Sequence, residues 1–191
     1  MHDCIGLLES KSIAHGLEAA DFMAKEAPVD VLWTRIIEPG RHLTLISGAV
    51  DDVRQSLRRG RETLGADLLD ELFLPGAHPS LFDAVGAAKP REREAMRIAG
   101  EQALGLIECA TVSGTFHAPD AAVKQAPVAL VALRVGGDMA GKGLVGLTGE
   151  VADVESAVSR GASLAEERGA LVRIAVIPRP ADVLLERILH V

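Results

Sequence analysis

The sequence predicts an α+β fold of two tandem modules, each ordered strand, helix, strand, strand, helix, strand. Three observations predict it. First, the chain is written twice: CIGLLES at 4–10 returns as ALGLIEC at 103–109, an offset of 99. The same offset pairs Asp21 with Asp120, Lys25 with Lys124, Ala27-Pro28-Val29 with Ala126-Pro127-Val128, and Arg35 with Arg134. Second, the offset then becomes 101, pairing Leu43 with Leu144, Gly48 with Gly149, Gly60 with Gly161 and His78-Pro79 with Arg179-Pro180. Two residues were therefore gained in one loop, between Arg134 and Leu144. Third, each copy alternates short apolar runs with segments of helical periodicity. The copies divide the chain into a first module at 1–88, a linker at 89–102 and a second module at 103–191, each of ordinary small-domain size.

The elements of the first module follow in order. Residues 4–10 form a short apolar run and read as a buried strand. Ser12 is placed to cap a helix whose apolar stripe is Ile13, Leu17, Ala20, Ala24 and Ala27, ended by Pro28. Residues 29–37 are β-branched and apolar, hence a strand; Pro39-Gly40 is a turn, and 42–48 alternate as the hairpin partner. Asp51 and Asp52 open a second helix running to about Thr63, where carboxylates suit the positive end of the helix dipole. A fourth strand is expected at 67–74 and a short helix at 79–85. The second module repeats the order, with strands at 103–109, 128–135, 143–148 and 170–176, and helices at 114–125, 151–168 and 181–189. This order is the ferredoxin-like split βαβ arrangement, an antiparallel sheet with its helices on one face. The polar, Arg-rich stretch AAKPREREAMRIAGEQ separates the modules.

Composition removes several function classes. Hydrophobic residues make up 48% and charged residues 25%, as in a packed globular chain rather than a disordered one. The net charge of −7 includes no basic patch of the kind that nucleic acid requires. No apolar run reaches membrane-spanning length, and MHDCIGLL lacks the basic-then-apolar pattern of an export signal. Two cysteines, Cys4 and Cys109, are too few for a disulfide framework and suit a reducing cytosol.

Chemistry-bearing patterns are scarce. Cys4 and Cys109 sit on equivalent strands with no Cys or His partner at metal-ligand spacing, and read as buried thiols. Glu9 and Glu108 are equivalent carboxylates. A catalytic role with His42 is one reading, and a repeated structural role is favoured because duplication copies structural residues twice. The six histidines form no HxxxH cluster, and GxxxxGK[ST], GxSxG and CxxC are all missing. The glycine-rich VGGDMAGKG at 135–143 offers backbone N–H groups beside Lys142, but no helix follows it, as both nucleotide-binding loops would need. The two-residue insertion lies in this loop, where a specialised surface is expected. No cofactor and no metal are expected.

The motifs ALGLIE, AADFMAKEAPV or APDAAVKQAPV, SGAVDDV or TGEVADV, and VIPRP occur in order and mostly twice. Together they resemble the bacterial microcompartment shell domain, in unpermuted element order, and two such modules in one chain resemble the tandem-domain, trimer-forming shell proteins. The resemblance covers roughly 4–86 and 103–189. It implies a structural protein of a shell within the cytoplasm, not an enzyme. It further implies a homotrimeric, pseudohexagonal tile that meets other shell proteins, hexamers and pentamers, edge to edge and passes small metabolites through a central pore.

By the same resemblance the loop between second and third strands lines that pore. The residues are Glu38, Pro39, Gly40, Arg41 and His42 in the first module, and Gly136, Gly137, Asp138, Met139 and Lys142 in the second. Three copies of Glu38 would repel unless relieved by Arg41, Lys142, protonation or a cation, and His42 would add a switch near neutral pH. Some tandem shell proteins hold an iron–sulfur cluster through a cysteine just before the Pro-Gly of this first loop; Glu38 stands there in this chain. The resemblance makes Lys25 and Lys124 tile-edge contacts, with Arg179 and its counterpart His78 at the corners. Without it, Lys25 reads as a solvated lysine favoured by the helix dipole. The competing class is a tandem small-molecule sensor, since ferredoxin-like modules bind effectors at their interfaces.

Overall fold

The computed structural model describes residues 3–87, 102–136 and 139–181. In the first module β1 (Cys4–Ser10), β2 (Asp30–Ile37), β3 (Arg41–Gly48) and β4 (Leu68–Pro75) form an antiparallel sheet ordered β2-β3-β1-β4. Helices α1 (Ile13–Glu26) and α2 (Val50–Leu64) pack on it. A short helix, α3 (Pro79–Phe82), and a wider turn at Asp83–Ala87 follow. The second module repeats the pattern with β5 (Ala103–Cys109), α4 (Val112–Gln125), β6 (Ala129–Val135), β7 (Gly143–Gly149), α5 (Val151–Glu167) and β8 (Leu171–Ile177), its sheet ordered β6-β7-β5-β8. The α+β class and the tandem βαββαβ order are those predicted. The expected linker at 89–102 falls almost wholly, and the helix at 181–189 all but its first residue, outside the described residues.

The duplication extends to hydrogen-bond register. Cys4 opposes Gly48 as Ala103 opposes Gly149, and Ser10 opposes His42 as Cys109 opposes Gly143. Both central strands carry a bulge at the same place, between Glu9 and Ser10 and between Glu108 and Cys109. On the helix side of the first sheet, Cys4, Leu8 and Ile46 meet Ala19 and Met23 of α1 and Val53, Leu57 and Leu64 of α2 in one apolar core. In the second module a glycine sets the approach of the helix pair. A Cβ on Gly161 would lie 2.7 Å from the Ala118 carbonyl oxygen, so only glycine lets α5 approach α4 there.

Local chemistry shifts some boundaries. Ser12 caps α1 by accepting from the His15 N–H, and Thr111 caps α4 by accepting from the Gly114 N–H, which starts that helix at Val112 rather than 114. Strand β4 begins at Leu68 because Asp67 closes a turn, bonding His15 Nδ1 at 2.7 Å and taking the Lys11 N–H on its carbonyl. The α1 stripe expected at Ile13, Leu17, Ala20, Ala24 and Ala27 is only partly the face that α1 buries: Ala20 and Ala27 are buried, but so are Gly16, Ala19 and Met23, whereas Ala24 is exposed and Leu17 is 52% exposed. Close packing onto the sheet selects small residues with one Met as filler, and the larger aliphatics mark a different face.

The chain divides into two compact units, Met1–Ala77 with Gly136–Gly141, and His78–Val135 with Lys142–Val191. The second unit therefore includes α3 and the turn after it, which pack on α4 and β6.

Candidate functional site

The β2–β3 connection contains Glu38, Pro39 and Gly40, all exposed, with a cis Glu38–Pro39 bond and Gly40 at φ 71°. Arg41, the first residue of β3, turns back to β1: its Nη1 donates to Glu9 Oε1 at 2.7 Å. Glu9 is only 3% exposed. Burial pushes its carboxyl above the ordinary value, against the pull of the Arg41 hydrogen bond and charge. The second module copies this contact at the duplication offsets, with Lys142 Nζ donating to Glu108 Oε1 at 2.9 Å. That pair is more open and built on a point charge instead of a planar fork.

These pairs correct two expectations. Arg41 and Lys142 are engaged by the strand carboxylates, so they are not the groups set aside to relieve Glu38. His42 lies beneath α1 and is 1% exposed, with Nε2 3.0 Å from Thr34 Oγ1. A Cβ on Gly16 would stand 2.5 Å from its ring, and burial lowers its pKa below the ordinary histidine value. His42 is thus a core residue rather than an open switch. Because β3 alternates faces, His42 and Arg41 point to opposite sides of the sheet. Glu9, bonded to Arg41, lies across the sheet from His42, which removes the acid–base pairing considered for an enzyme.

In the longer loop, Gly137 and Asp138 fall outside the described residues. Gly136, Ala140 and Gly141 all have positive φ, at 73°, 49° and 84°, and Met139 is half-buried. Gly141 belongs to the first compact unit, where a Cβ on it would lie 3.0 Å from Arg41 Nη1 and 3.9 Å from Glu9 Oε1. The structure thus brings Gly141 of the longer loop onto the Glu9–Arg41 pair, at the start of β3.

Three of the four expected edge residues are at helix ends. Lys25 and Lys124 occupy the last turns of α1 and α4, and each donates to the aspartate one turn earlier, Asp21 or Asp120, at 2.6 Å. His78 caps α3: its Nδ1 accepts from the Ser80 N–H, while its own N–H donates to Asp120 Oδ1 at 2.8 Å. Arg179 is exposed, with φ 50°, and precedes the buried Pro180.

Nothing in this geometry assembles a reaction centre. Cys4 and Cys109 are fully buried, and burial pushes each thiol up to about 11. Among the described residues no three His, Cys, Asp or Glu side chains gather to hold a metal, and no buried side-chain polar atom is left without a partner. A shallow hollow on α2 is lined by Asp51, Arg54, Gln55, Arg58 and Arg61. The strand-to-loop ion pairs were missed as pairs in the sequence. The signal was present, since Glu9/Glu108 and Arg41/Lys142 repeat at offsets 99 and 101.

Comparison with known proteins places this arrangement. A sequence profile of the BMC domain matches residues 4–77 and again 103–180. The chain is 36% identical over 182 residues to the bacterial microcompartment shell protein PduT of Citrobacter freundii, covering 95% of each. It is 39% identical over 80 residues to the bacterial microcompartment shell protein EutM of Salmonella typhimurium, covering 41% of this chain and 80% of that one. The crystal structure of a microcompartment protein from Desulfitobacterium hafniense superposes with a TM-score of 0.86 at 42% identity, covering 96% of this chain and 98% of that one.

Proposed function

Since this chain belongs to the BMC-domain family and is a bacterial microcompartment shell protein, not an enzyme, we propose that three copies close into one pseudohexagonal tile. The observation that carries this reading is the duplication itself, which repeats in sequence, strand register and bulge position. Two like modules per chain give six like wedges from three chains, so closed rotational symmetry is kept while alternate wedges diverge. The divergence is concentrated in the β2–β3 and β6–β7 loops, which in this reading surround the central opening. Exposed Glu38, Pro39 and Gly40, with Met139 and the rest of the longer loop, line it, and the Glu9–Arg41 and Glu108–Lys142 pairs brace the strands that carry them. Small polar metabolites are the proposed permeants. Lys25 and Lys124, with His78 and Arg179, lie along the rim and meet neighbouring hexamers and pentamers.

The rim assignment is tested by Lys25→Asp with Lys124→Asp. Both lysines are exposed, and each change swaps an i, i+4 attraction for a repulsion, about 0.5 kcal/mol each, and sets a carboxylate at the negative end of the helix dipole, about 0.5 kcal/mol more, so the trimer persists. In this reading every edge carries one of these lysines, so electron microscopy should show loss of extended sheets and of incorporation into co-expressed shells. Sheets unchanged from wild type would return both lysines to a solvated role.

A further inference from the structure

Helix α2 and its copy α5 share a buried face and differ beside it. At the duplication offset of 101, Val53, Ser56, Leu57, Gly60 and Leu64 of α2 answer to Val154, Ala157, Val158, Gly161 and Ala165 of α5, and every one of them is buried. Packing on the sheet therefore constrains both helices alike. Arg54, Arg58 and Arg61 are exposed, and stand where α5 has Glu155, Ser159 and Ala162. In all, α2 carries four arginines against three carboxylates, and α5 one against four. Since α5 forms and packs without them, neither helix formation nor packing accounts for the arginines of α2.

Arg54, Arg58 and Arg61 fall at i, i+4 and i+7, so they form a row along one side of the helix over about 10 Å. With Asp51 and Gln55 they line the shallow hollow on α2, about 350 Å³ in volume. Two of the three are steadied from outside. Arg54 Nη1 donates to Asp51 Oδ1, and its guanidinium lies 5.1 Å from the centre of the Phe73 ring on β4. Arg61 Nε stands 3.5 Å from Glu71 Oε2, also on β4. Arg58, between them, forms no ion pair with a described residue. The Arg54 and Arg61 side chains remain 58% and 47% exposed. Each guanidinium has five N–H donors, so most are left for a ligand.

We propose that this face of α2 binds an oligophosphate, either free or as the phosphate chain of a nucleoside triphosphate, laid along Arg54, Arg58 and Arg61. Planar guanidinium forks take phosphate oxygens two at a time, and a row of them suits a chain of phosphates. Three arginines match one short chain, whereas a nucleic-acid site engages roughly six to ten phosphates. A compact tricarboxylate has comparable charge but not the length to meet the whole row. The hollow is shallow, so charge holds the ligand, and salt should loosen it. The second module, with Glu155 and Ser159 in place of two arginines, offers no equivalent, which makes one site per chain. Every lining residue lies within the first module, so the site does not depend on the tile reading.

Calorimetric titration of the full-length chain with inorganic tripolyphosphate, ATP and citrate tests it. Tripolyphosphate should bind saturably, one per chain, and more weakly at about 200 mM than at about 50 mM salt. Arg58→Ser installs the residue that α5 holds at the equivalent position, so the helix should persist. It should weaken binding about ten-fold, the loss expected for one hydrogen bond to a charged group. Arg58→Lys keeps the charge without the fork and should recover only part of that loss. ATP binding as tightly as tripolyphosphate would assign recognition to the phosphate chain, and tighter binding would add contacts to the nucleoside; either supports the site. Footprinting of the wild-type chain with an arginine-selective dicarbonyl reagent needs no variant: tripolyphosphate should shield Arg54, Arg58 and Arg61. Binding that does not saturate, Arg58→Ser with wild-type affinity, shielding confined to other arginines, or citrate bound as tightly as tripolyphosphate would overturn the proposal.

Discussion

Arg41→Met is expected to destabilise the chain by about 3 kcal/mol at pH 7, the lower end for breaking a buried ion pair, because Arg41 itself is partly exposed. The loss comes from Glu9, which stays buried with its charge uncompensated. Without Arg41, burial and the nearby Asp70 both act to raise the Glu9 pKa further. A carboxyl whose folded pKa lies above its unfolded value binds its proton more tightly when folded. The deficit should therefore shrink as pH falls through the folded Glu9 pKa, and be largest above it. Glu9→Gln in the Arg41→Met background should recover most of the loss at pH 7, since a neutral amide is far cheaper to bury than an unpaired carboxylate. Urea unfolding of the single and double variants between pH 5 and 8 measures this. A pH-independent deficit, or no rescue by Glu9→Gln, would show that Arg41 acts through packing alone.

His117 should make the chain sensitive to mild acid. It is 7% exposed on α4, and burial, followed by the positive charge of Arg168, lowers its pKa from 6.5 to about 4, with Asp120 opposing. For a histidine with a depressed folded pKa, the unfolded chain takes up the proton first, so stability falls as pH drops below 6.5 and levels off near 4. At about 1.4 kcal/mol per pKa unit, this one side chain withdraws about 3 kcal/mol over that window. His42, lowered by burial alone, adds to the same trend. His117→Asn should flatten the pH dependence of the unfolding free energy between 7 and 4. A variant with the wild-type slope would place the acid sensitivity elsewhere.

Much of the fold could be read from the residues because the signal was local and duplicated. The run CIGLLES and its copy ALGLIEC locate the central strands, and Ser12 marks a helix start. What was not legible depends on which surface a residue meets. Leu17 fits an apolar stripe as well as Ala20 does, and periodicity alone cannot say that the sheet wants Gly16 and Ala19 against it. His42 looks like an exposed loop-edge histidine until Gly16 is found lying on its ring. Asp21 and Asp120 hold equivalent positions, each four residues before a lysine, yet Asp120 receives the His78 N–H and is largely covered, whereas Asp21 is open. The ion pairs of the strand carboxylates join residues more than 30 positions apart, beyond the reach of any local pattern. Shell membership was legible because it rests on ordered motifs over nearly the whole chain, whereas the pore and rim roles belong to an assembly that one chain does not display.

The central claim, that two modules per chain make a six-wedge tile from three chains, is tested most directly by the mass of the particle in solution. Native mass spectrometry or multi-angle light scattering of the purified full-length chain should find three chains per particle over a wide concentration range. A stable single chain, or a closed ring of six chains, would contradict the account.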